Sequence, residues 1–217
     1  MEYVDLKDNI NLERLKKPAK MIKEGKIVIF PTETVYGIGT NGFKSDSIKK
    51  IYELKKRDFN KPISLLVNSI DMIQTVAKDI TDLEYALINR FCPGPFTIIL
   101  KKKKEVPDIL TANGDTVGIR MPDSLIAKTI IDYSGVPIAT PSANISGKPS
   151  GTSIDNIMKD FKDSVDCIID SGKSKIGIAS TIVKVENEKP IILREGSIKK
   201  EEIFDFVNNY NKRKDQS

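Results

Sequence analysis

A chain of 217 residues that is 39% hydrophobic can bury one sizeable core, and its length favours one domain over two. Thirty-five Lys and Arg against 30 Asp and Glu leave a net charge of +5, which suits anionic small molecules or RNA without requiring either. There is no histidine, so Ser-His-Asp, Cys-His and His-metal chemistry are all excluded.

Cys92 and Cys167 stand far apart with no C-x-x-C partner, which argues against a zinc site and for reduced thiols in a cytoplasmic protein. The first residues lack the apolar run of a signal peptide, and no later run approaches the length of a membrane span. The expectation is a single domain over residues 1–217, with its core at about 10–200, a frayed tail at 211–217 and no membrane contact.

In chain order, Ile10, Leu15, Ala19 and Ile22 recur at helical spacing up to Gly25, with Pro18 placed to kink that first helix. Ile27 to Phe30 is a continuous apolar run of the kind found in a central strand. It ends at Pro31-Thr32-Glu33-Thr34-Val35-Tyr36-Gly37, so a strand delivers hydroxyls to a loop. Gly37-Ile38-Gly39-Thr40-Asn41-Gly42 formally matches the dinucleotide fingerprint. That reading fails because six residues separate the strand from the first glycine and the next helix begins only near Ser45. The glycines instead let backbone pass close to a neighbour.

The helix carrying Ile48, Ile51, Tyr52 and Leu54 runs into Lys55-Lys56-Arg57-Asp58-Phe59-Asn60-Lys61, four cations in seven residues, and then into a strand at 63–67. Taken alone, such a run is more often a solvated helix end than a phosphate site. Residues 71–91 read as two helical segments broken by Cys92-Pro93-Gly94-Pro95, before a strand at 96–100 and the basic block Lys101 to Lys104. Thr116 to Arg120 reads as a strand that brings Arg120 to its end, where a guanidinium is well placed to grip a carboxylate.

A helix at 124–133 follows, then a short strand that enters Thr140-Pro141-Ser142-Ala143-Asn144-Ile145-Ser146-Gly147-Lys148-Pro149-Ser150-Gly151-Thr152. Donors and acceptors alternate along that loop, and its prolines and glycines set the backbone, as suits a bound polar ligand. The remaining elements are a helix near 153–161, a strand at 167–170, a Gly/Ser/Lys linker at 171–179, a hairpin turning at Asn187-Glu188, and a helix at 199–210. Strands and helices alternate throughout, so the fold class is α/β with a mixed sheet and flanking helices.

Pro31 to Gly37, Lys55-x-Arg57, Gly118 to Pro122, Thr140 to Asn144, Ser180 to Val183 and Leu193 to Ile198 together resemble the YrdC-like family of threonylcarbamoyl-AMP synthases, in its short, single-domain form. The resemblance implies a twisted mixed sheet enclosing a basic cavity. It also implies a nucleotidyltransferase that joins L-threonine, bicarbonate or carbon dioxide, and ATP into L-threonylcarbamoyl-AMP and pyrophosphate. A downstream tRNA threonylcarbamoyl-transferase complex would consume the product in tRNA modification.

Carried over by motif, Thr34, Arg120 and Thr140 would hold threonine. Arg57, Lys61, Thr116, Ser142, Asn144, Ser150, Ser180 and Arg194 would hold ATP, with Lys55 and Arg57 as the catalytic cations. Magnesium would come bound to ATP oxygens and water, with no protein metal site. Two departures stand out: Leu66 falls where some longer members present a histidine, and Ala179 where a glutamate commonly precedes Ser-Thr-Ile-Val. A second reading, from another class, is a non-catalytic module that binds double-stranded RNA or tRNA, resting on Lys101 to Lys104 and the net charge.

Overall fold

The computed structural model describes residues 1–214 and 216, with Asn156 represented by its backbone alone. The strands are β1 (Glu2–Asp5), β2 (Val28–Phe30), β3 (Gly37–Asn41), β4 (Leu65–Leu66), β5 (Phe96–Lys101), β6 (Thr116–Arg120), β7 (Ile138–Ala139), β8 (Cys167–Asp170), β9 (Thr181–Glu186) and β10 (Lys189–Arg194). They join one mixed sheet in the order β1-β8-β2-β3-β7-β4-β6-β5-β9-β10. The helices are α1 (Lys16–Glu24), α2 (Ser45–Lys55), α3 (Ile70–Val76), α4 (Asp82–Phe91), α5 (Leu125–Ser134), α6 (Ile154–Phe161) and α7 (Lys200–Lys214).

Both faces of the sheet are covered, which is why β2 and β8 read as unbroken apolar runs. Val28, Phe30, Cys167 and Ile169 point to the side where the turn before α1 brings Leu15, α1 brings Ala19 and Ile22, and α5 brings Ile126, Ile130 and Ile131. The alternate residues Ile29 and Ile168 point to the other side. There they meet Ile48, Ile51 and Tyr52 of α2, Leu87 and Ile88 of α4, and Ile157 and Phe161 of α6.

The first helix begins later than its periodicity suggests. Leu12–Leu15 form a 3-10 turn ahead of α1, and Pro18 lies in the first turn of α1, where a missing N–H costs no helical bond. Gly25 closes α1 in the left-handed region at φ 91°. The hairpin turns at Asn187 and Glu188, both at positive φ (50° and 57°), as a two-residue type I′ connection requires. The last helix continues past 210 to Lys214, while Asp215 and Ser217 of the expected frayed tail lie outside the described residues.

Two strands were not expected. β1 pairs in parallel with β8 but buries only Val4, too little for a periodic signal. Gly37 to Asn41 is a buried strand antiparallel to β2 and not a glycine-rich loop. Close approach was the right reading of its glycines: a Cβ on Gly39 would stand 2.7 Å from a ring carbon of Phe30. Among the described residues no helix is long and apolar enough to cross a membrane.

Candidate active site

The Pro31–Gly37 stretch and the loop after β7 are laced together by backbone bonds. Tyr36 N–H donates to Gly151 O (2.9 Å), Ala143 N–H to Tyr36 O (2.7 Å) and Ile38 N–H to Pro141 O (3.0 Å). A Cβ on Gly37 would collide with Cγ2 of Thr140, so glycine is what lets the two segments touch. Within the first segment the Thr32 hydroxyl donates to Val35 O at 2.7 Å and lies 2.9 Å from the Thr34 hydroxyl, which fixes the turn that carries Glu33 and Thr34.

The stretch read as a linker at 171–179 forms part of this wall. Ile176 N–H donates to Glu33 O and Gly177 N–H to Thr34 O, both at 2.8 Å, and Ser174 N–H to Thr152 O at 2.9 Å. Ala179 and Ser180 then reach a cavity of about 180 Å³ that also takes in Thr34, Arg57, Leu66, Thr97, Arg120, Thr140, Ser142, Ser150 and Arg194. Ser150 is shared with a neighbouring cavity of about 330 Å³, which Asn144, Lys148 and Lys159 help to line.

Three guanidinium groups converge on the first cavity, and among the described residues no acidic one lines it. Arg57 is held by the carbonyls of Lys61 (3.0 Å) and Pro62 (2.9 Å). Arg194 donates to Ser180 O from Nε (3.1 Å) and Nη2 (2.7 Å), and Ser180 Oγ lies 2.8 Å from Thr97 Oγ1. Partial burial, followed by the like charges of Arg120 and Arg57, lowers the pKa of Arg194. Burial likewise lowers that of Arg57. This mutual repulsion marks a place that favours anions.

Arg120 ends β6 beside Thr97 of β5 and Leu66 of β4. Its Nη2 donates to Glu33 Oε1 at 2.6 Å and its Nε to Gly94 O at 3.3 Å, with both side chains of the ion pair buried. Glu33 escaped sequence reasoning although it lies inside a quoted motif. The available signal was a carboxylate placed directly after a buried strand, where burial demands a cationic partner. Thr97 escaped too, and its signal was a hydroxyl in the midst of an apolar strand.

The structure thus brings together Thr34, Arg57, Arg120, Thr140, Ser142, Ser150, Ser180 and Arg194. It does not bring in Lys55, Lys61, Thr116 or Asn144. Lys55 is 1% exposed, and its Nζ donates to Ser142 O and Asn144 O, both at 2.5 Å, beneath the loop. Its contacts are those of a loop clamp, and among the described residues these two carbonyls are its acceptors. Lys61 is exposed. Thr116 opens β6 at the end opposite Arg120, about 13 Å away at strand rise. Asn144 turns to its own loop, donating to Ile145 O and Lys148 O.

Leu66, at the expected histidine position, lines the cavity as an apolar wall. Lys101 to Lys104 lie elsewhere and are mostly engaged. Lys101 pairs with Asp79 at 3.7 Å, Lys102 with Asp108, and Lys103 donates to Gln74 O.

No group of three or more Cys, Asp or Glu that could hold a metal occurs among the described residues. The cavity's own donors are neutral hydroxyls beside three guanidinium groups, so its lining residues would not by themselves cage a divalent cation.

A mixed α/β domain with an arginine-lined, carboxylate-free cavity is the class that fold and site define. The family model for Sua5, YciO and YrdC proteins, described as "Telomere recombination", matches residues 20–196. The Pyrococcus abyssi protein named threonylcarbamoyl-AMP synthase is 41% identical over 200 residues, which cover 92% of this chain and 59% of that one. A Methanocaldococcus jannaschii protein carrying the same name provisionally is 45% identical over 193 residues, 87% of this chain and 90% of its own. The crystal structure of P. abyssi Sua5 complexed with L-threonine superposes with a TM-score of 0.92 at 40% identity, covering 95% of this chain and 61% of that one. The chain belongs to the Sua5/YciO/YrdC family, and it spans about three fifths of the P. abyssi relative's length.

Proposed function

We propose that this protein is a cytoplasmic threonylcarbamoyl-AMP synthase, a nucleotidyltransferase acting on L-threonine, bicarbonate or carbon dioxide, and ATP. The observation that carries the reading is the convergence of Arg57, Arg120 and Arg194 on one cavity without an acidic lining residue. Two of these cations suit a triphosphate, and the third suits an amino-acid carboxylate. The names of the relatives and the threonine bound to P. abyssi Sua5 point the same way.

The chemistry needs no histidine. The neutral amine of threonine adds to carbon dioxide, forming a C–N bond and releasing one proton, to give a carbamate. A carbamate oxygen then attacks the α-phosphorus as the bond to the departing pyrophosphate breaks. Both reacting species are anionic, so holding them together and neutralising their charge supplies most of the acceleration. Magnesium on the triphosphate adds charge neutralisation when it is bound.

In this reading Arg57 and Arg194, with the hydroxyls of Ser142, Ser150 and Ser180, hold the nucleotide, which their shared lining of one cavity supports. Arg120, with Thr34 and Thr140, is placed to hold threonine. Lys55 acts from below by holding the Ser142–Asn144 backbone. In this reading Lys61 and Thr116 approach the nucleotide only if the segments that carry them move. The product is a reactive mixed anhydride, so a tRNA threonylcarbamoyl transferase is the enzyme placed to consume it.

The test is pyrophosphate and adenylate formation by the purified protein with magnesium-ATP, bicarbonate and L-threonine, omitting each in turn. Turnover that requires all three is expected. Pyrophosphate release that ignores threonine would remove the assignment.

A further inference from the structure

Arg120 has five guanidinium N–H donors, and the fold commits two of them, both on one side of the group. Nη2 donates to Glu33 Oε1 and Nε to Gly94 O. Nη1 has no protein partner among the described residues, and Arg120 lines the cavity. Glu33 is 7% exposed, and its second oxygen, Oε2, is buried without any donor. A counter-ion kept only for stability would satisfy both oxygens. A buried acceptor left in this state carries a desolvation cost that a functional constraint explains.

Glu33 is also held rigidly at its backbone. Thr32 fixes the turn that presents it, and its carbonyl accepts from Ile176 N–H. The carboxylate is therefore aimed at Arg120 by structure on both sides.

Building on the proposed amino-acid substrate, we infer that Glu33 is a positioning residue that limits how Arg120 receives a carboxylate. With the Nε–H given to Gly94 and one Nη2 N–H given to Glu33, the side-on fork is closed, and an incoming carboxylate is left only the end-on pair of Nη1 and the remaining Nη2 N–H. The formal charge of Arg120 is already cancelled by that of Glu33 as well. Glu33 thus orients the guanidinium and at the same time holds down affinity for the amino acid. Removing its charge leaves a buried cation that the ligand's own carboxylate can satisfy, so binding tightens in the variant.

The experiment compares wild type with Glu33→Gln by calorimetric titration of L-threonine and of threoninol, which lacks the carboxylate. The expected result is about tenfold tighter L-threonine binding in the variant with threoninol unchanged, and a lower KM for L-threonine with the KM for ATP unaltered. Equal changes for both ligands, or weaker L-threonine binding, would reduce Glu33 to a structural role and overturn the inference.

If wild type binds no L-threonine, the proposed function fails, and acetate becomes the carboxylate probe. Tighter acetate binding by the variant upholds the role of Glu33, and equal binding refutes it. Should Glu33→Gln not fold, Glu33→Asp keeps the charge but draws it back by one methylene, freeing Nη2. It is expected to bind L-threonine several-fold tighter, and an unchanged affinity counts against the inference.

Discussion

The Nζ of Lys55 lies 2.5 Å from the carbonyl oxygen of Ser142, and the same distance separates it from the carbonyl of Asn144. A side chain at the end of α2 thereby fixes the backbone of the loop that lines the cavity. Burial, and after it the charge of Arg57, lowers the pKa of Lys55 from 10.5 to about 7. Between those values the unfolded chain holds a proton that the folded protein lacks, so stability rises with pH through this window.

Thermal unfolding of wild type at pH 7 to 8 is accordingly expected to show a rising Tm. Lys55→Met should flatten that slope, and it should cost about 1–3 kcal/mol by leaving two carbonyls without a donor. Burial pushes the thiols of Cys92 and Cys167 up from 9 to about 11 and about 12 and the phenol of Tyr36 up from 10 to about 12, so these groups contribute slopes of opposite sign that set in as pH nears 9 and 10, beyond this range. A wild-type Tm that is level or falling from pH 7 to 8 would contradict a neutral Lys55.

Arg120→Ala strands Glu33 as a buried, uncompensated carboxylate. Loss of one partner from a buried pair typically costs about 3–5 kcal/mol, measurable by urea unfolding. In binding, threonine affinity should fall further than ATP affinity, because the proposed partner of Arg120 is a carboxylate. Parallel losses for the two substrates would undo that assignment. The double variant Arg120→Ala, Glu33→Ala should recover part of the stability, since it removes the stranded charge together with its partner.

Ser180 links the hydroxyl of Thr97 to the guanidinium of Arg194. Ser180→Ala removes both contacts while leaving the carbonyl that Arg194 also uses. A loss of ~1–2 kcal/mol in ATP affinity is expected, with threonine affinity held. Ser142→Ala should weaken ATP by ~1–3 kcal/mol if its hydroxyl satisfies a buried ligand group. Titration of a non-hydrolysable ATP analogue gives both values, and unaltered nucleotide affinity would remove these serines from the proposed site.

Gly196 stands where the chain leaves β10 and passes the start of β9. A Cβ there would collide with the Ala179 carbonyl oxygen and lie 2.6 Å from the Ser180 carbonyl carbon. Backbone cannot swing aside as a side chain would, so Gly196→Ala must displace the carbonyls of Ala179 and Ser180, the second of which anchors Arg194. A lower Tm and loss of nucleotide affinity are expected together. A variant of wild-type stability would mean that the passage is looser than the packing indicates.

Much of this protein was already determined along the chain. The apolar runs at Ile27–Phe30 and Cys167–Ile169 demanded strands covered on both faces, and the caps and periodicities of the helices placed them nearly where they lie. The motif residues Thr34, Arg57, Arg120, Thr140, Ser142, Ser150, Ser180 and Arg194 are local in sequence, and each is delivered by a strand end or a turn whose chemistry is local as well. Tertiary structure decided the remainder, because pairing between distant segments leaves no mark in either one. Val4 alone could not reveal β1 as a partner for β8. The cationic run at 55–61 looks uniform in sequence, yet the packing of α2 sends Lys55 under a loop 87 residues away and Arg57 to the cavity. Glu33 and Arg120, also 87 residues apart, become a single buried unit only when the sheet brings β6 beside the turn after β2. A charge finds its partner through the fold, since the desolvation that makes the pairing obligatory exists only once the core has closed.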